Sequence, residues 1–368
     1  MLRLTLKNLR ANLTRLVATA VAVIAGTAFV STGLVLTQAI SDATAGNVAL
    51  QYESVDVAVS GGEFSGRGDP SGIDAAELEE IRTLAGVEAA EGELAESAKV
   101  LDDEGESVRS QSLGRIWFAD DELNPFTLEE GRAPQSAGEV VLDIETAEKA
   151  AVTVGDTVEL ATPSGATTAE VVGTSTFGES AAVDGGGTIF FSPEEGLEVL
   201  GAGSGQYSRI LVRTDGSQDT LRTITNSVPR GTDVLSGEEF RADTQAATDE
   251  FTDFLRPVLL GFAFLALFVA GFVIYNTFTV VVTQRSRELA LIRSIGGTPG
   301  QVRRSLLGEG LFLGLLASGI GLVVGVLLSM GVQWLLDRFD VPIPSAGFAL
   351  TPGIVLVTIV AGTVITVV

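Results

Sequence analysis

Residues 277–318 read TFTVVVTQRSRELALIRSIGGTPGQVRRSLLGEGLFLGLLAS, and the order of apolar and basic residues here decides the fold. The stretch begins at the end of one long apolar run and finishes inside the next. The segment between them, 284–304, carries five arginines and a single acid. Apolar runs of about 20 residues cross bilayers, and a short arginine-rich connection between two of them stays on the cytoplasmic face. Glu288, Leu289, Leu291, Ile292 and Ile295 recur at helical spacing before Gly296-Gly297 interrupts the pattern. The spacing predicts an amphipathic helix hung between two spans, a device for passing movement between the bilayer and a cytoplasmic neighbour.

Working outward, the chain has four apolar runs, 16–36, 258–282, 311–332 and 350–368, the middle two being the flanks of this stretch. At about 1.5 Å per residue, such helices match a hydrocarbon core roughly 30 Å thick. The first run could instead belong to a cleaved signal peptide, with Ala43-Thr44-Ala45 as its small-residue site. Cleavable apolar regions are only about 7–15 residues long, so a retained span is the better reading. Ahead of it, Arg3, Lys7, Arg10 and Arg15 accompany Leu2, Leu6, Leu9 and Leu13 on one helical face, the pattern of a segment lying on the membrane surface. The basic residues of 1–15 and 284–304 put both segments inside, and hence the region between the first two spans outside. The chain stops at Val368 without a polar tail, which suggests a cut chain or the first part of a longer one.

Mean hydropathy is +0.37 while formal charge is −24. Both hold because acids and apolar residues occupy different regions. Residues 39–256 hold 43 acids against 13 lysines and arginines, a balance that excludes electrostatic binding of nucleic acid. Cys and His are absent, which removes disulfides, thiol chemistry, the usual zinc ligands and His-based catalysis. No metal or cofactor set is visible. The spans contain no ionisable side chain, so a charge-coupled carrier is disfavoured. Small residues instead recur at every fourth position: Gly310, Gly314 and Ser318; Gly321, Gly325 and Ser329; Ala18, Ala22 and Gly26. Such ladders let helix backbones approach closely.

The acidic region reads as mixed α and β. Asp74 and Glu77 around the start of a helix form a capping-box pattern, with Ile73 and Leu78 as staple. Leu78, Ile81 and Leu84 give its buried face, and Gly86 ends it. Strands are predicted near Val87 and over 99–101, 107–112, 139–143, 156–161, 168–173, 207–213 and 233–235, with turns at 102–105 and 163–165. Pro193 at a first helical position and 217–227 mark two further helices. From about Glu238 a long helix is expected to run into the second span. Arg67-Gly68-Asp69 is loop composition rather than an adhesion site, and the acids at 102–106 lack the spacing of a calcium loop. Asp184-Gly185-Gly186-Gly187 lacks the strand–loop–helix context of a phosphate cradle and reads as a turn. No G-x-x-x-x-G-K-[ST] loop occurs, so the chain should not hydrolyse ATP.

The stretch RSRELALIRSIGGTPGQVRRSLLGEGLFLGLLASGIGLVVGV resembles the signature of FtsX-like, MacB-type ABC transporter permeases, through Arg287-Glu288, Ile292-Arg293, Gly296 and Arg303-Arg304. The acidic region resembles that family's periplasmic core domain at Gly86-Val87, Gly131-Arg132, Gly138-Glu139-Val140-Val141-Leu142 and Val154-Gly155-Asp156-Thr157-Val158. The resemblance implies a membrane α-helical bundle of four transmembrane helices with a large extracytoplasmic α+β domain. Its divisions are a cytoplasmic segment 1–15, a first span 16–38, a periplasmic core domain 39–251 and a permease domain 252–368. It further implies a bacterial cytoplasmic membrane, a separate ABC-type ATPase dimer that binds the ATP, and a second permease copy or half. The coupling helix of the family falls on 284–304, with Arg285, Arg287, Glu288, Leu291, Ile292, Arg293, Ile295, Gly296, Gly297 and Thr298 facing the ATPase. The implied output is export or extraction of hydrophobic or amphipathic substrates. The alternatives are a non-transporting subunit that activates an extracellular partner such as a cell-wall hydrolase, and, more weakly, an anchored extracellular enzyme.

Overall fold

A computed structural model of the chain describes residues 13–61, 72–178, 183, 186–201, 203–294, 299–341 and 350–367. Two compact units emerge. One comprises Met1–Asp42, Glu250–Leu335 and Ala346–Val368; the other comprises Ala43–Asp249 and Leu336–Ser345.

The second unit is α+β. A four-stranded antiparallel sheet has the order β14-β1-β13-β3, from Thr232–Ser236, Val57–Gly61, Arg209–Thr214 and Val87–Glu93. An eight-stranded mixed sheet has the order β4-β6-β11-β8-β10-β9-β5, with β7 also on β10. Its strands are Ala95–Ser97, Ser112–Ile116, Gly187–Phe191, Glu139–Asp143, Gly165–Phe177, Thr157–Thr162, Lys99–Leu101 and Phe126–Gly131. β2 (Ile73–Asp74) and β12 (Gln206–Tyr207) form a small ribbon. One apolar cluster runs through both large sheets, from Val59, Ile210 and Val212 to Leu142, Val171, Ile189 and Phe191. All seven are essentially inaccessible, the close-packed condition that gives a domain its own stability without disulfides.

Local signals explain the helices of this unit. α2 (Ala75–Arg82) buries Leu78 and Ile81. α3 (Ile144–Ala150) starts at Asp143, whose carboxylate accepts from the Thr146 N–H at 2.9 Å. α4 (Pro193–Val199) has proline in its first turn, and α5 (Gln218–Ser227) is capped by the Ser217 hydroxyl accepting from the Thr220 N–H.

Three expectations need correction. Asp74 does not cap α2 with its side chain. It lies in β2 opposite Gln206, and its carboxylate accepts from Gln206 Nε2 at 3.0 Å instead. The strand expected over 107–112 begins only at Ser112, because the buried Arg109 side chain is drawn into ion pairs and Ser107 makes a single bridge to Leu101. β10 is 13 residues long, far beyond 168–173, since its first half pairs with β9 and its second with β7.

The first unit is helical: most of α1 (Leu13–Gln51), the greater part of α6 (Gly237–Ser294) and α7 (Pro299–Arg338), and α8 (Pro352–Val367). Within these, Ala20–Gln51 and Gly310–Leu336 are long and apolar enough to cross a membrane, while Leu260–Asn276 and Pro352–Val367 are shorter apolar helices. Burial is inverted relative to a water-soluble core. Phe264, Tyr275 and Leu356 are 72%, 70% and 65% exposed, whereas Thr27, Ser31, Ser318 and Thr358 are fully buried. Large apolar side chains outside and small hydroxyls inside is the arrangement that lipid, not water, favours.

A fourth correction concerns the arginine-rich segment. It is not a separate helix. Residues 284–294 continue α6 without a break, and 299–304 form the first turns of α7. The reason is propensity: QRSRELALIRS contains no helix breaker and several strong helix formers. Ile295, Gly296, Gly297 and Thr298 lie outside the described residues, as do residues 1–12, Arg67-Gly68-Asp69, Asp184 and Gly185.

Candidate functional site

α6 is the element that joins the parts of the candidate site. Its start is a capping box at Ser236 and Glu239. The Ser236 hydroxyl accepts from the Glu239 N–H at 3.3 Å, and the Glu239 carboxylate accepts from the Ser236 N–H at 3.1 Å. The helix then runs 58 residues, through Pro257, which removes one backbone donor but does not end it. Arg285, Arg287, Glu288, Leu291, Ile292 and Arg293 all lie on its last turns.

The start of α6 is clamped to the end of α1. Arg241 Nη1 donates to the carbonyls of Tyr52 and Val55 at 2.8 and 3.0 Å. The Tyr52 and Phe240 rings meet edge to face, 4.8 Å apart. Val48, Val55, Phe118, Leu123 and Leu211 complete this apolar cluster. Beneath it sits Glu93, only 6% exposed. Its carboxylate accepts from Tyr52 OH at 3.1 Å and Gln51 Nε2 at 3.2 Å, and pairs with Arg209 at 3.2 Å and Arg115 at 3.7 Å. Burial, reinforced by the Glu93 charge, raises the Tyr52 phenol far above its ordinary value, so it remains a donor to Glu93. Beside Glu93 in β3, Glu91 accepts from the Ala119 and Asp120 N–H groups, and burial lifts its carboxyl above the ordinary range. Sequence reasoning missed this junction. The Ser236-Gly237-Glu238-Glu239 pattern and the acids Glu91 and Glu93, two apart and on one face of β3, were the available signals.

A cleft of about 730 Å³ opens beside the junction. Leu94, Leu200, Tyr207, Arg209, Phe240 and Asp243 are among its lining residues.

In the helical unit, α7 carries small residues on two faces. A β-carbon at Gly310 would come within 3.2 Å of the Thr366 carbonyl, and one at Gly314 within 3.1 Å of Thr363 Cα, both on α8. Ser318 is buried against Gly362 of α8. Gly321 and Gly325 face α1 instead. β-carbons there would lie within 2.9 Å of the Ile24 carbonyl and 2.5 Å of the Ala28 carbonyl, and would strike the Thr27 and Ser31 hydroxyls. The Thr32 hydroxyl sits between two carbonyls, 2.7 Å from Ala28 and 2.9 Å from Gly325 across the interface. Gly26 of α1 approaches Leu267 and Ala270 of α6. Ala22 is half-buried, and the Ala18 side chain lies outside the described residues.

Groups of three or more acids placed to hold a metal are absent among the described residues. What the geometry supplies is a set of tight helix contacts and a charged clamp where two helices enter a folded domain. Two family patterns match this chain. The pattern described as MacB-like periplasmic core domain matches residues 16–227, and that described as FtsX-like permease C-terminal matches residues 260–368. The chain belongs to the FtsX/MacB-type family of ABC transporter permeases.

Three relatives place it within that family. An uncharacterised ABC transporter permease protein of Mycobacterium tuberculosis is 30% identical over 54% of this chain and 23% of its own. The cell division protein FtsX of Streptococcus pneumoniae is 30% identical over 30% of this chain and 36% of its own. A macrolide export ATP-binding/permease protein, MacB, of Bdellovibrio bacteriovorus is 29% identical over 38% of this chain and 23% of its own. The matches thus span about a quarter to a third of the length of these relatives.

Proposed function

We propose that this chain is the membrane subunit of an ABC complex, in which a separate ATPase dimer pushes on the arginine-rich end of α6 and moves the exported domain. The observation that carries this reading is the single helix Gly237–Ser294, which links β14 of the domain to Arg285–Arg293 without a break. In this reading four helices span a bacterial cytoplasmic membrane, with residues 1–15 and 284–304 inside. Arg285, Arg287, Glu288, Leu291, Ile292, Arg293, Ile295, Gly296, Gly297 and Thr298 form the docking surface. ATP is bound by the partner, and a second permease copy or half completes the complex. The Gly310–Gly314–Ser318 and Gly321–Gly325 faces hold the bundle together.

The work done is export or extraction of a hydrophobic or amphipathic substrate, whose contacts fall in the cleft beside Phe240. Its apolar wall with Arg209 and Asp243 at hand suits a molecule with both apolar and charged parts. A second reading, activation of an extracellular partner without transport, is favoured by the similarity to a cell division protein and by spans free of ionisable groups.

Arg287→Glu combined with Ile292→Asp is expected to abolish co-purification of the ATPase while leaving membrane insertion intact. Pull-down of the full chain from membranes, with the ATPase identified by its phosphate loop, reads the outcome. Undiminished co-purification would remove the docking assignment.

A further inference from the structure

The last residues of α7 belong to the exported unit, although the body of that helix belongs to the helical one. Two residues past the end of α7, Asp340 adopts a left-handed conformation, φ 51°, a position that normally selects glycine or asparagine. The Val341 N–H reaches back to the Leu336 carbonyl at 3.0 Å and closes the helix end. An aspartate held there aims its carboxylate at a preset cradle. Asp340 accepts from Lys149 at 2.5 Å and from the Ser110 N–H at 2.7 Å, and pairs with Arg109 at 3.2 Å. The Ser110 hydroxyl donates to the Asp340 carbonyl.

The charge balance of the cradle argues that the fit is specific. Arg109, 3% exposed, and Lys149 both pair with Glu145, at 3.0 and 3.1 Å. The Asp340 carboxylate adds to Glu145 a second anion in direct contact with both cations, which lowers the cost of holding them partly buried. Burial opposes ionisation of Asp340, yet the Lys149 and Ser110 hydrogen bonds hold its carboxyl below the ordinary range.

We propose that Asp340 is a latch that pins the C-terminal end of α7 to the eight-stranded half of the exported domain. α1 and α6 lead into β1 and out of β14, so both covalent attachments grip the four-stranded sheet. The latch grips the other half, through the residues ahead of β6 and through α3. Being non-covalent, it can open without breaking the chain. Displacement of α7 is thereby delivered to a different part of the domain from displacement of α1 or α6, and release of Asp340 uncouples it.

The test is amide hydrogen exchange on the full chain in nanodiscs, comparing Asp340→Ala, Lys149→Met and the double variant. Exchange at Ser110 and across 336–341 is expected to rise about tenfold in Asp340→Ala and less in Lys149→Met. At these sites the double variant should be no faster than Asp340→Ala, because the Lys149–Asp340 contact is already lost in that variant. The Val141 amide, deep in β8, should be unchanged in all three, which shows that the domain remains folded. Unchanged exchange at Ser110 in Asp340→Ala, or effects that simply add, would overturn the latch. None of these measurements requires the ATPase, so their outcome is independent of the coupling assignment.

Discussion

Leucine at position 325 is expected to break the helical unit apart, while leucine at position 319 of the same helix should leave it intact. A β-carbon at Gly325 would meet the Ala28 carbonyl at 2.5 Å and its Cα at 3.1 Å. Both are backbone atoms, and backbone cannot swing aside as a flexible side chain can. α1 and α7 must therefore separate, losing the Thr32 hydroxyl's second carbonyl and the shelter of Thr27 and Ser31. Overpacking of a well-fitted interior costs about 1–3 kcal/mol and more where backbone must move. Gly325→Leu belongs at or beyond the top of that range. At Gly319 nothing lies within 4 Å, so the same substitution there only adds apolar surface to an open face. Thermal denaturation and size-exclusion profiles of the detergent-solubilised chain distinguish the two. Equal behaviour of the variants would mean that the glycines reflect span composition and not helix contact.

The second large effect is expected at Glu93. Replacement by alanine leaves Arg115 and Arg209 without the anion between them and Tyr52 OH without its acceptor, while Gln51 Nε2 keeps its bond to the Tyr52 hydroxyl. Removing one member of a buried charged cluster costs about 3–5 kcal/mol, chiefly because the remaining charges stay buried and uncompensated. Arg209 would retain only its place 5.3 Å from the Phe240 ring, worth roughly 0.5–2 kcal/mol. Glu93→Gln should lie between wild type and Glu93→Ala, since the amide oxygen can still accept from Tyr52. Trp117, 8% exposed in the domain, is a natural probe, and Trp334→Phe silences the other tryptophan. A guanidinium titration followed by that fluorescence should show the midpoint falling in the order wild type, Gln, Ala. A Glu93→Ala midpoint equal to wild type would mean that the cluster is solvated and contributes no clamp. The prediction also bears on mechanics. Glu93 is where the end of α1 is tied to the sheet, so weakening it loosens the domain from that helix without touching the membrane.

What the sequence made legible follows the reach of each signal. Pro193, Ser217 and the strand 139–143 were readable because caps, proline at a first turn and a short apolar run between a glycine and a helix cap act within a few residues. The family resemblance was readable for the same reason, since its motifs are short and contiguous. β11 escaped notice: Gly187–Phe191 is buried on both faces, so GTIFF shows no alternation. The side-chain cap at Asp74 was legible but misleading, because strand pairing with Gln206 outbid the helix for the same carboxylate. The fourfold spacing of small residues is visible in the sequence, but which helix each residue meets is not. Gly314 and Gly321 are seven residues apart and address different partners. Asp340 illustrates the limit most clearly. As a sequence it is one more acid in a short link, and its meaning depends on Ser110 and Lys149, 230 and 191 positions away.

The unbroken course of α6 has a consequence for how such a chain can change over time. In a helix each residue advances the azimuth by about 100°. One residue inserted between Ala270, which approaches Gly26 of α1, and Gln284 would leave both ends chemically intact but point them in different directions. The arginines would turn away from whatever they face when Ala270 is seated against α1. Length variation in this helix should accordingly be restricted to near-whole pitches, about seven or eleven residues at a time, even where the identity of individual lipid-facing residues is free to drift.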